Sequence, residues 1–310
     1  MRWLIVASCA PTTSEDSSLP HTHNKPVQAI AACDQCFMRQ AGDAASRCNL
    51  PPEQKEALLK RIEAELAQFP SESTPPVRAS RIHALIREIS GNPDPYLQAK
   101  HESTEHALTF YPRLKQMIEE AEDPIDMAVR LAIAGNIIDL GVASEYDLEA
   151  SIERVLRITP AINHMAQLKE AIAQADTILY LADNAGETVM DRLLIETINK
   201  PVTYVVKGGP AVNDATLKDA IAAGINQVAE IIDNGAATLG TLLNQCSAPF
   251  IEQFDRAELI IAKGMANYEG LTGTQAPIFF LFQVKCAVIG AHMGVPEKSI
   301  IVMNENLPST

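Results

Sequence analysis

The stretch that decides the fold is Ile178-Leu179-Tyr180-Leu181-Ala182, followed at once by Asp183-Asn184-Ala185-Gly186-Glu187. A short apolar run that ends in polar residues and a glycine is typical of a buried strand that turns into a helix. Apolar residues then recur at helical spacing from Met190 to Ile198. This strand–turn–helix unit predicts the start of an α/β sheet.

Three later apolar runs repeat the pattern of the first. Val202 to Val206 is followed by Lys207-Gly208-Gly209-Pro210 and then by Asn213-Asp214. Val228 to Ile232 is followed by Asp233-Asn234-Gly235. Leu259 to Ala262 is followed by Lys263-Gly264 and then by Asn267-Tyr268-Glu269. In an open α/β sheet, ligands bind at the carboxyl ends of the strands. The four polar clusters therefore predict a site for a charged ligand.

The rest of the chain falls into three parts. Residues 1–26 are predicted to be a polar tail, residues 27–168 an all-helical region, and residues 169–310 an α/β domain with a mainly parallel sheet. Within the α/β domain, Pro277 to Met293 is predicted to form a long apolar helix before a last strand from Ser299 to Met303.

Composition and charge argue against several classes of binding partner. The chain has 310 residues, 47% of them apolar, a net charge of −14 and a pI of about 4.9. Such an acidic surface argues against nucleic acid or an anionic membrane as partner. No apolar run reaches the ~18 residues of a membrane span, and the apolar stretch near the N-terminus is shorter than a signal peptide needs. The six cysteines fit a reduced, cytoplasmic protein.

Asp183, Asn184 and Asp214 are the candidate metal ligands. Carboxylate and amide oxygens suit hard divalent cations, and the two strand ends would bring the three side chains to one edge. The alternative is that Asp183 or Asn184 only caps the helix that follows.

Two lysines are candidate anion ligands. Lys263 ends a buried strand, where an ammonium needs a negative partner, and Gly264 beside it permits close backbone approach. Lys285 stands out in the predicted apolar helix and would face a cleft. The alternatives are a solvated loop lysine at 263 and a side chain at 285 that extends to solvent.

Two further pairs of residues have open interpretations. Cys33 and Cys36 form a CxxC spacing that is half of a metal or redox site, or are two ordinary helix cysteines. Asn136 and Asp139 share one face of a predicted buried helix, where they would line the cleft or cap a neighbouring helix.

The ordered motifs resemble a known family. They are Cys33-x-x-Cys36 with Arg39 and Ala41, Asp94-Pro95-Tyr96 with Lys100, Ala134-Gly135-Asn136-Ile137-Ile138-Asp139, Asp183 through Glu187, Lys207 through Thr216, Ile232 through Gly235, Ala262-Lys263-Gly264, Asn267-Tyr268-Glu269 and Lys285-Cys286. Together, over residues 27 to 303, they resemble the metal-dependent damage-control phosphatases, an ARMT-like family, and its microbial subgroup with an N-terminal CxxC.

The resemblance implies a fold and a cofactor. The fold is a Rossmann-like three-layer α/β/α domain behind a helical N-terminal region. The metal is a divalent cation (manganese, nickel, cobalt or magnesium) held at Asp183, Asn184 and Asp214, and Cys33 and Cys36 are a possible second metal site.

The resemblance also implies a substrate site for a small phosphorylated metabolite. Its candidate residues are Lys263, Gly264, Asn267, Glu269, Lys285 and Asn136. Some relatives carry an R-T-x-K motif at the last lysine; here Lys285 is present and the arginine is not, so their sugar-phosphate preference does not carry over directly.

The sequence is thus interpreted as a metal-dependent phosphomonoester hydrolase. Asp183 and Asp214 are its candidate catalytic residues, with the nucleophile either water or the Asp183 carboxylate and Asp214 a possible general base. Two alternatives stay open: an S-adenosylmethionine-dependent carboxyl methyltransferase, and a non-catalytic phosphometabolite-binding protein. The oligomeric state is also left open.

Overall fold

The computed structural model describes residues 26–135 and 156–306. Its first part is helical, with α1 (Ala31–Arg47), α2 (Pro52–Leu66), α3 (Pro75–Ser90), α4 (Leu97–Glu119) and α5 (Pro124–Ala134). Asn136 and Asp139 lie outside the described residues. Among the helices that are described, none combines the length and the apolar character that a bilayer crossing requires.

The described residues then form a seven-stranded sheet in the order β1-β7-β6-β5-β2-β3-β4. Its strands are β1 (Ile162–Asn163), β2 (Ile178–Leu181), β3 (Val202–Val206), β4 (Glu230–Asp233), β5 (Ile260–Lys263), β6 (Ile278–Gln283) and β7 (Ile300–Met303). Every neighbouring pair is parallel except β6 with β7. The helices between them are α6 (Met165–Gln174), α7 (Thr188–Ile198), α8 (Leu217–Ala222), α9 (Ala248–Arg256), α10 (Met265–Leu271) and α11 (Ala287–Met293).

Helices cover both faces of the sheet. In β2, Tyr180 points into one core, while Leu179 and Leu181 point into the other, as the alternation of a strand requires. Helices α4 to α8 contribute to the first core and α9 to α11 to the second. The predicted three-layer α/β/α fold with a mainly parallel sheet and a helical N-terminal region is therefore confirmed.

The predicted long helix from Pro277 to Met293 is wrong. That stretch forms strand β6 and the separate short helix α11. The run from Ile278 to Phe282 is buried on both sides of the sheet, and a continuous apolar run does not reveal by its periodicity whether it is strand or helix. Lys285 consequently lies in the loop after β6, not in an apolar helix.

The helical region contributes to two different cores. Helices α1 to α3 surround a core of their own, whereas α4 and α5 share the core on one face of the sheet. The short strand β1 also precedes residue 169 and pairs with β7. The division of the chain at residues 168–169 stays a prediction.

The sheet reverses its direction of growth at β2. From β2 the chain moves outward to β3 and β4, and then returns to place β5 on the other side of β2. A crevice for ligands forms at such a switch point, beyond the carboxyl ends of the strands. We call the residues that follow β2, β3, β5 and β6 at this end the carboxyl edge.

Candidate active site at the carboxyl edge

Asp183 and Gly264 face each other across the switch point. Asp183 follows β2, and Gly264 follows the neighbouring strand β5. A Cβ atom on Gly264 would lie 2.1 Å from Cγ of Asp183, and the glycine has φ +81°. Only a hydrogen fits there, so Gly264 allows the Asp183 carboxyl group to lie against the start of α10.

The loops after β2 and β3 are joined by backbone hydrogen bonds. Ala185 N donates to Asn213 O at 2.9 Å, and Ala215 N donates to Asp183 O at 2.8 Å. Asn184 and Asp214 form a β-bridge between the same two loops. The fold thus brings together Asp183, Asn184 and Asp214, the three residues predicted as metal ligands.

The amide group of Asn184 has a defined orientation. Its Nδ2 donates to Asp183 Oδ2 at 3.0 Å and also to Glu187 Oε1. Both amide hydrogens are therefore used by carboxylates. The amide oxygen Oδ1, which is the atom that binds hard cations, accepts no hydrogen bond from the described residues.

Carboxyl groups are buried together at this edge. Burial raises the pKa of Asp214 to about 7, with Lys207 opposing the shift and Asp183 adding to it. Burial likewise raises the pKa of Glu187 to about 7, against the opposing charge of Lys263. The pKa of Glu269 rises to about 8 through burial and the nearby Asp183. Such shifts in a cleft are characteristic of functional sites.

The oxygen atoms present fit a divalent cation. Asp214 Oδ2 is buried without a hydrogen bond; Lys207 Nζ lies 3.4 Å from it, while the nearby Asp183 and Glu187 carboxylates repel its charge. A cation bound to these oxygens would lower that repulsion. Within residues 26–135 and 156–306, no three His, Cys, Asp or Glu side chains could hold a metal ion by themselves. A cation bound by Asp183 and Asp214 would therefore also need the Asn184 amide oxygen, and water or substrate.

Lys207 and Lys263 are buried with protein partners. Lys207 Nζ also donates to Gly240 O at 2.7 Å. Lys263 is completely buried, and its Nζ lies 3.2 Å from Glu187 Oε2 and 2.8 Å from Asp191 Oδ1. The ammonium group of Lys263 therefore faces carboxylates of α7 and the turn before it, not the open cleft.

Lys285 is the exposed lysine of the site. Because β6 runs parallel to β5, its carboxyl end reaches the same edge as Asp183, and Lys285 lies two residues beyond β6. Its charge is close enough to Glu187 to oppose the rise of the pKa of that carboxyl group. Lys285 is thus available to an anion in the cleft.

Asn267 and Glu269 on α10 have different surroundings. Asn267 is completely buried: its Nδ2 donates to Ala182 O at 3.0 Å and Lys263 O at 2.7 Å, and its Oδ1 accepts from Thr241 Oγ1 at 2.8 Å. Glu269 is 8% exposed and has no hydrogen bond or ion pair with a described residue. Asn267 therefore ties strands together, whereas Glu269 is free to meet a ligand.

Directly beneath the site lie residues that are not among the predicted site residues. Asp191 on α7 is completely buried and accepts hydrogen bonds from Tyr180 OH at 2.7 Å and Tyr204 OH at 2.8 Å. A signal was present, because buried tyrosines need a partner for the hydroxyl group and these two occupy equivalent places in β2 and β3. Asp191 also lies four residues after Glu187, on the same side of a helical path.

In the cluster Asp233-Asn234-Gly235, the side chains accept hydrogen bonds from backbone N–H groups. Asn234 Oδ1 accepts from Gly208 N at 3.2 Å and from Ala236 N at 3.0 Å. Gly235 N donates to Asp233 Oδ1 at 2.8 Å. These contacts hold the loop after β4 against the loop after β3, which carries Lys207.

Cys33 and Cys36 lie in the first turns of α1, and Cys33 is near enough to Glu269 for that charge to contribute to the raised pKa of its thiol. Cys33 is buried in the core of α1 to α3, and Cys36 is half-buried. Both are free thiols. Burial raises the pKa of Cys33, which makes its thiolate less accessible as a metal ligand.

A family model and known proteins of similar sequence all point to one family. A family model described as a damage-control phosphatase ARMT1-like domain matches residues 29–301. A damage-control phosphatase of Pyrococcus horikoshii is 32% identical over 255 residues, which cover 80% of this chain and 88% of that protein. A damage-control phosphatase of Archaeoglobus fulgidus is 35% identical over 226 residues, or 70% of this chain and 78% of that protein.

A solved structure has the same architecture. It is the crystal structure of a DUF89 family protein from Pyrococcus horikoshii, with a TM-score of 0.83 and 30% sequence identity. The match covers 90% of this chain and 99% of that one. The similarity therefore extends over the helical region and the sheet together.

Proposed function

The chain belongs to the ARMT1-like damage-control phosphatase family and is a metal-dependent phosphatase, and we propose that it hydrolyses small phosphorylated metabolites at the carboxyl edge, between β2 and β5. The observation that carries the location is the meeting of the Asp183–Asn184 pair with the buried Asp214, whose Oδ2 has no hydrogen bond and has Lys207 Nζ 3.4 Å away. A cationic ligand at this point would satisfy all three side chains.

The proposed metal ligands are Asp183, Asn184 and Asp214. The donor set is all oxygen, which suits magnesium, manganese, cobalt or nickel. When bound, the cation polarises a phosphoryl oxygen and so favours attack on phosphorus. Asp183 and Asp214 are accordingly the proposed catalytic carboxylates.

We assign the substrate phosphate to Lys285 and Glu269. Lys285 is exposed at the cleft and supplies positive charge. Glu269, whose pKa of about 8 keeps it largely protonated at neutral pH, can donate a hydrogen bond to a phosphoryl oxygen. Asn136 stays a predicted substrate contact, outside the described residues.

We assign structural roles, and not the expected phosphate contacts, to Lys263, Gly264 and Asn267. The buried contacts of Lys263 and Asn267 support a role in holding Glu187 and the ends of β2 and β5. Gly264 supplies space for Asp183. These three residues shape the site and leave contact with phosphate to Lys285 and Glu269.

We place the enzyme in the cytoplasm. The five cysteines in the described part of the chain are free thiols. Free thiols persist in a reducing compartment.

The test is a phosphatase assay with purified protein and a generic aryl phosphate. Phosphate release is measured after addition of Mn²⁺, Co²⁺, Ni²⁺ or Mg²⁺ to chelator-treated enzyme. We expect metal-dependent release that Asp183→Ala abolishes. Activity that survives this substitution would contradict the proposed site.

The matched control is Asp176→Ala, which removes a carboxylate near the opposite end of β2. Asp176 precedes that strand, and its backbone N–H bonds to Glu258. This variant should keep wild-type activity. A methyl transfer from S-adenosylmethionine that persists in chelator would instead support the methyltransferase alternative, which the comparisons do not favour.

A further inference from the structure

A buried polar network lies beneath the proposed metal site. Asp191 has no exposed surface, and its Oδ1 accepts from both Tyr180 OH at 2.7 Å and Lys263 Nζ at 2.8 Å. Its Oδ2 accepts from Tyr204 OH at 2.8 Å. The two tyrosine rings stack with centroids 5.3 Å apart, so the donors are held firmly in the core of the sheet.

The network continues from Asp191 to the cleft. Lys263 Nζ also donates to Glu187 Oε2, at 3.2 Å. The other oxygen of Glu187, Oε1, accepts from the Asn184 amide. An unbroken series of hydrogen bonds thus joins the tyrosines of β2 and β3 to a proposed metal ligand.

Each link fixes the orientation of the next one. Lys263 binds Oε2 of Glu187, which leaves Oε1 turned toward Asn184. Glu187 and Asp183 together take both amide hydrogens of Asn184. The amide therefore cannot rotate by half a turn without bringing its oxygen against two carboxylates.

Stability alone does not account for these charges. A buried ion pair contributes little net stability compared with apolar residues of the same volume, because both charges must be desolvated. Here an aspartate, a lysine and a glutamate are all 2% exposed or less. Their arrangement is best explained by the group at its end.

We propose that Asp191 is a positioning residue for the metal site: acting through Lys263 and Glu187, it holds the Asn184 amide with its nitrogen toward the carboxylates and its oxygen toward the cation. This inference rests on the proposed function, because it takes Asn184 as a metal ligand. Groups that orient metal ligands commonly change metal affinity by ~10 to 100-fold when they are altered.

The test measures Mn²⁺ binding to the full-length apoprotein in the absence of substrate. Asp191→Asn preserves the size of the side chain but weakens its hold on Lys263, and we expect its Kd for Mn²⁺ to rise about tenfold or more. Tyr204→Phe, which keeps the ring and removes only the hydroxyl group, should raise Kd by a smaller factor. The double variant should bind no more weakly than Asp191→Asn, because both substitutions interrupt one series.

Glu196→Gln is the matched control. Glu196 lies on the same helix as Asp191. Like Asp191, it accepts a hydrogen bond from a tyrosine hydroxyl, Tyr111 OH at 2.6 Å, and pairs with a lysine, Lys115 Nζ at 2.8 Å. Neither of these partners leads to the cleft. It should leave the Kd for Mn²⁺ unchanged. A rise in Kd equal to that of Asp191→Asn would reveal a general effect of destabilising α7 and would overturn the inference.

Asp183→Asn separates this inference from the proposed function. If Asp183→Asn binds Mn²⁺ as the wild type does, the proposed metal site itself is wrong. If Asp183→Asn loses binding while Asp191→Asn and Tyr204→Phe keep the wild-type Kd, the metal site stands and the positioning role of Asp191 is refuted. If Asp191→Asn fails to fold, Tyr204→Phe alone decides between these outcomes.

Discussion

The carboxyl edge and the core of α1 to α3 bury polar groups in opposite ways. At the edge, Asp214, Glu187 and Glu269 are buried near Asp183, and like charge adds to the rise in their pKa values. In the α1–α3 region, the buried Arg78 has partners of opposite polarity: its Nη1 donates to Asp34 Oδ1 at 2.9 Å and its Nη2 donates to Pro70 O at 3.0 Å.

This contrast distinguishes buried polar residues that serve function from those that serve stability. Acids that repel one another in a buried place lower the stability of the folded protein and are useful only when a cation joins them. A paired arginine connects helices and needs no ligand. Substitutions at the edge should therefore change activity most, and substitutions among α1 to α3 should change stability alone.

Gly264→Ala should have the largest effect. The added Cβ would meet the Asp183 carboxyl group at 2.1 Å, at a backbone φ of +81°. We expect a loss of about 3 kcal/mol or more in the free energy of unfolding and no detectable phosphatase activity. Urea unfolding and the aryl phosphate assay measure the two effects.

Gly91→Ala is the matched control for Gly264→Ala. Gly91 ends α3 with a φ of +66°, but an added Cβ meets no atom within 4 Å. Only the backbone cost of about 1 to 2 kcal/mol should appear, with activity retained. Equal losses in the two variants would show that crowding against Asp183 is unimportant.

Asp214→Asn should separate activity from stability. We expect activity to fall on the order of 100-fold. The pKa of Asp214 is raised from 3.8 to about 7, so the folded wild type loses stability as the pH rises between these values. Asp214→Asn has no carboxyl group at this position and therefore lacks this loss of folding stability, which is at most about 4 kcal/mol.

Urea unfolding of the metal-free proteins at acidic and mildly alkaline pH measures that difference. The advantage of Asp214→Asn over the wild type should grow as the pH rises. An advantage that stays constant or shrinks would mean that the Asp214 carboxylate is well compensated in the folded state without a cation.

His83→Gln should affect stability without affecting activity. Burial, aided by Arg87, lowers the pKa of His83 from 6.5 to about 4, and its Nε2 has no hydrogen bond. A depressed histidine pKa contributes stability above pH 6.5 that is lost as the pH falls through 4, about 3 kcal/mol in total. The wild type should therefore lose more stability than His83→Gln over this range, as chemical unfolding at several pH values will show.

Two results would contradict this interpretation of His83. Parallel pH profiles for the two proteins would show that the histidine titrates normally in the folded state. A loss of phosphatase activity in folded His83→Gln at neutral pH would show that the α1–α3 region takes part in catalysis.

The double variant Cys33→Ser/Cys36→Ser should have the smallest effect. In the described part of the chain the two thiols do not belong to a group of three metal-binding side chains, so metal content and activity should stay the same. Burial of a hydroxyl at position 33 should cost about 1 to 3 kcal/mol. Elemental analysis of the isolated protein, with Cys48→Ser as control, measures the metal; loss of one metal ion in the double variant would establish a second site.

Sequence reasoning predicted the carboxyl edge because its signals are local. Each strand end is marked by an apolar run followed by polar residues, as at Asp183, and the sheet topology then gathers these ends. The prediction of a helix at β6 is wrong because the run Ile278 to Phe282 is apolar throughout and lacks the alternation of a half-buried strand.

The roles of the individual lysines could not be predicted in this way. Lys263 and Lys285 both appear near apolar runs, yet one is buried in ion pairs and the other is exposed. The partner that draws Lys263 inward is Asp191, which is 72 residues away along the chain. A contact over this distance exists only in the assembled sheet.

The strand order also governs when the site is completed during synthesis. A ribosome makes Asp183, Glu187, Asp191 and Asp214 well before β5, so the growing chain holds the acids without the ammonium group of Lys263, which lies 76 residues after Glu187. Only when β5 docks beside β2 does this charge reach them. A chain truncated before β5 would keep all of these acids and still be inactive, so activity reports that the later strands have docked.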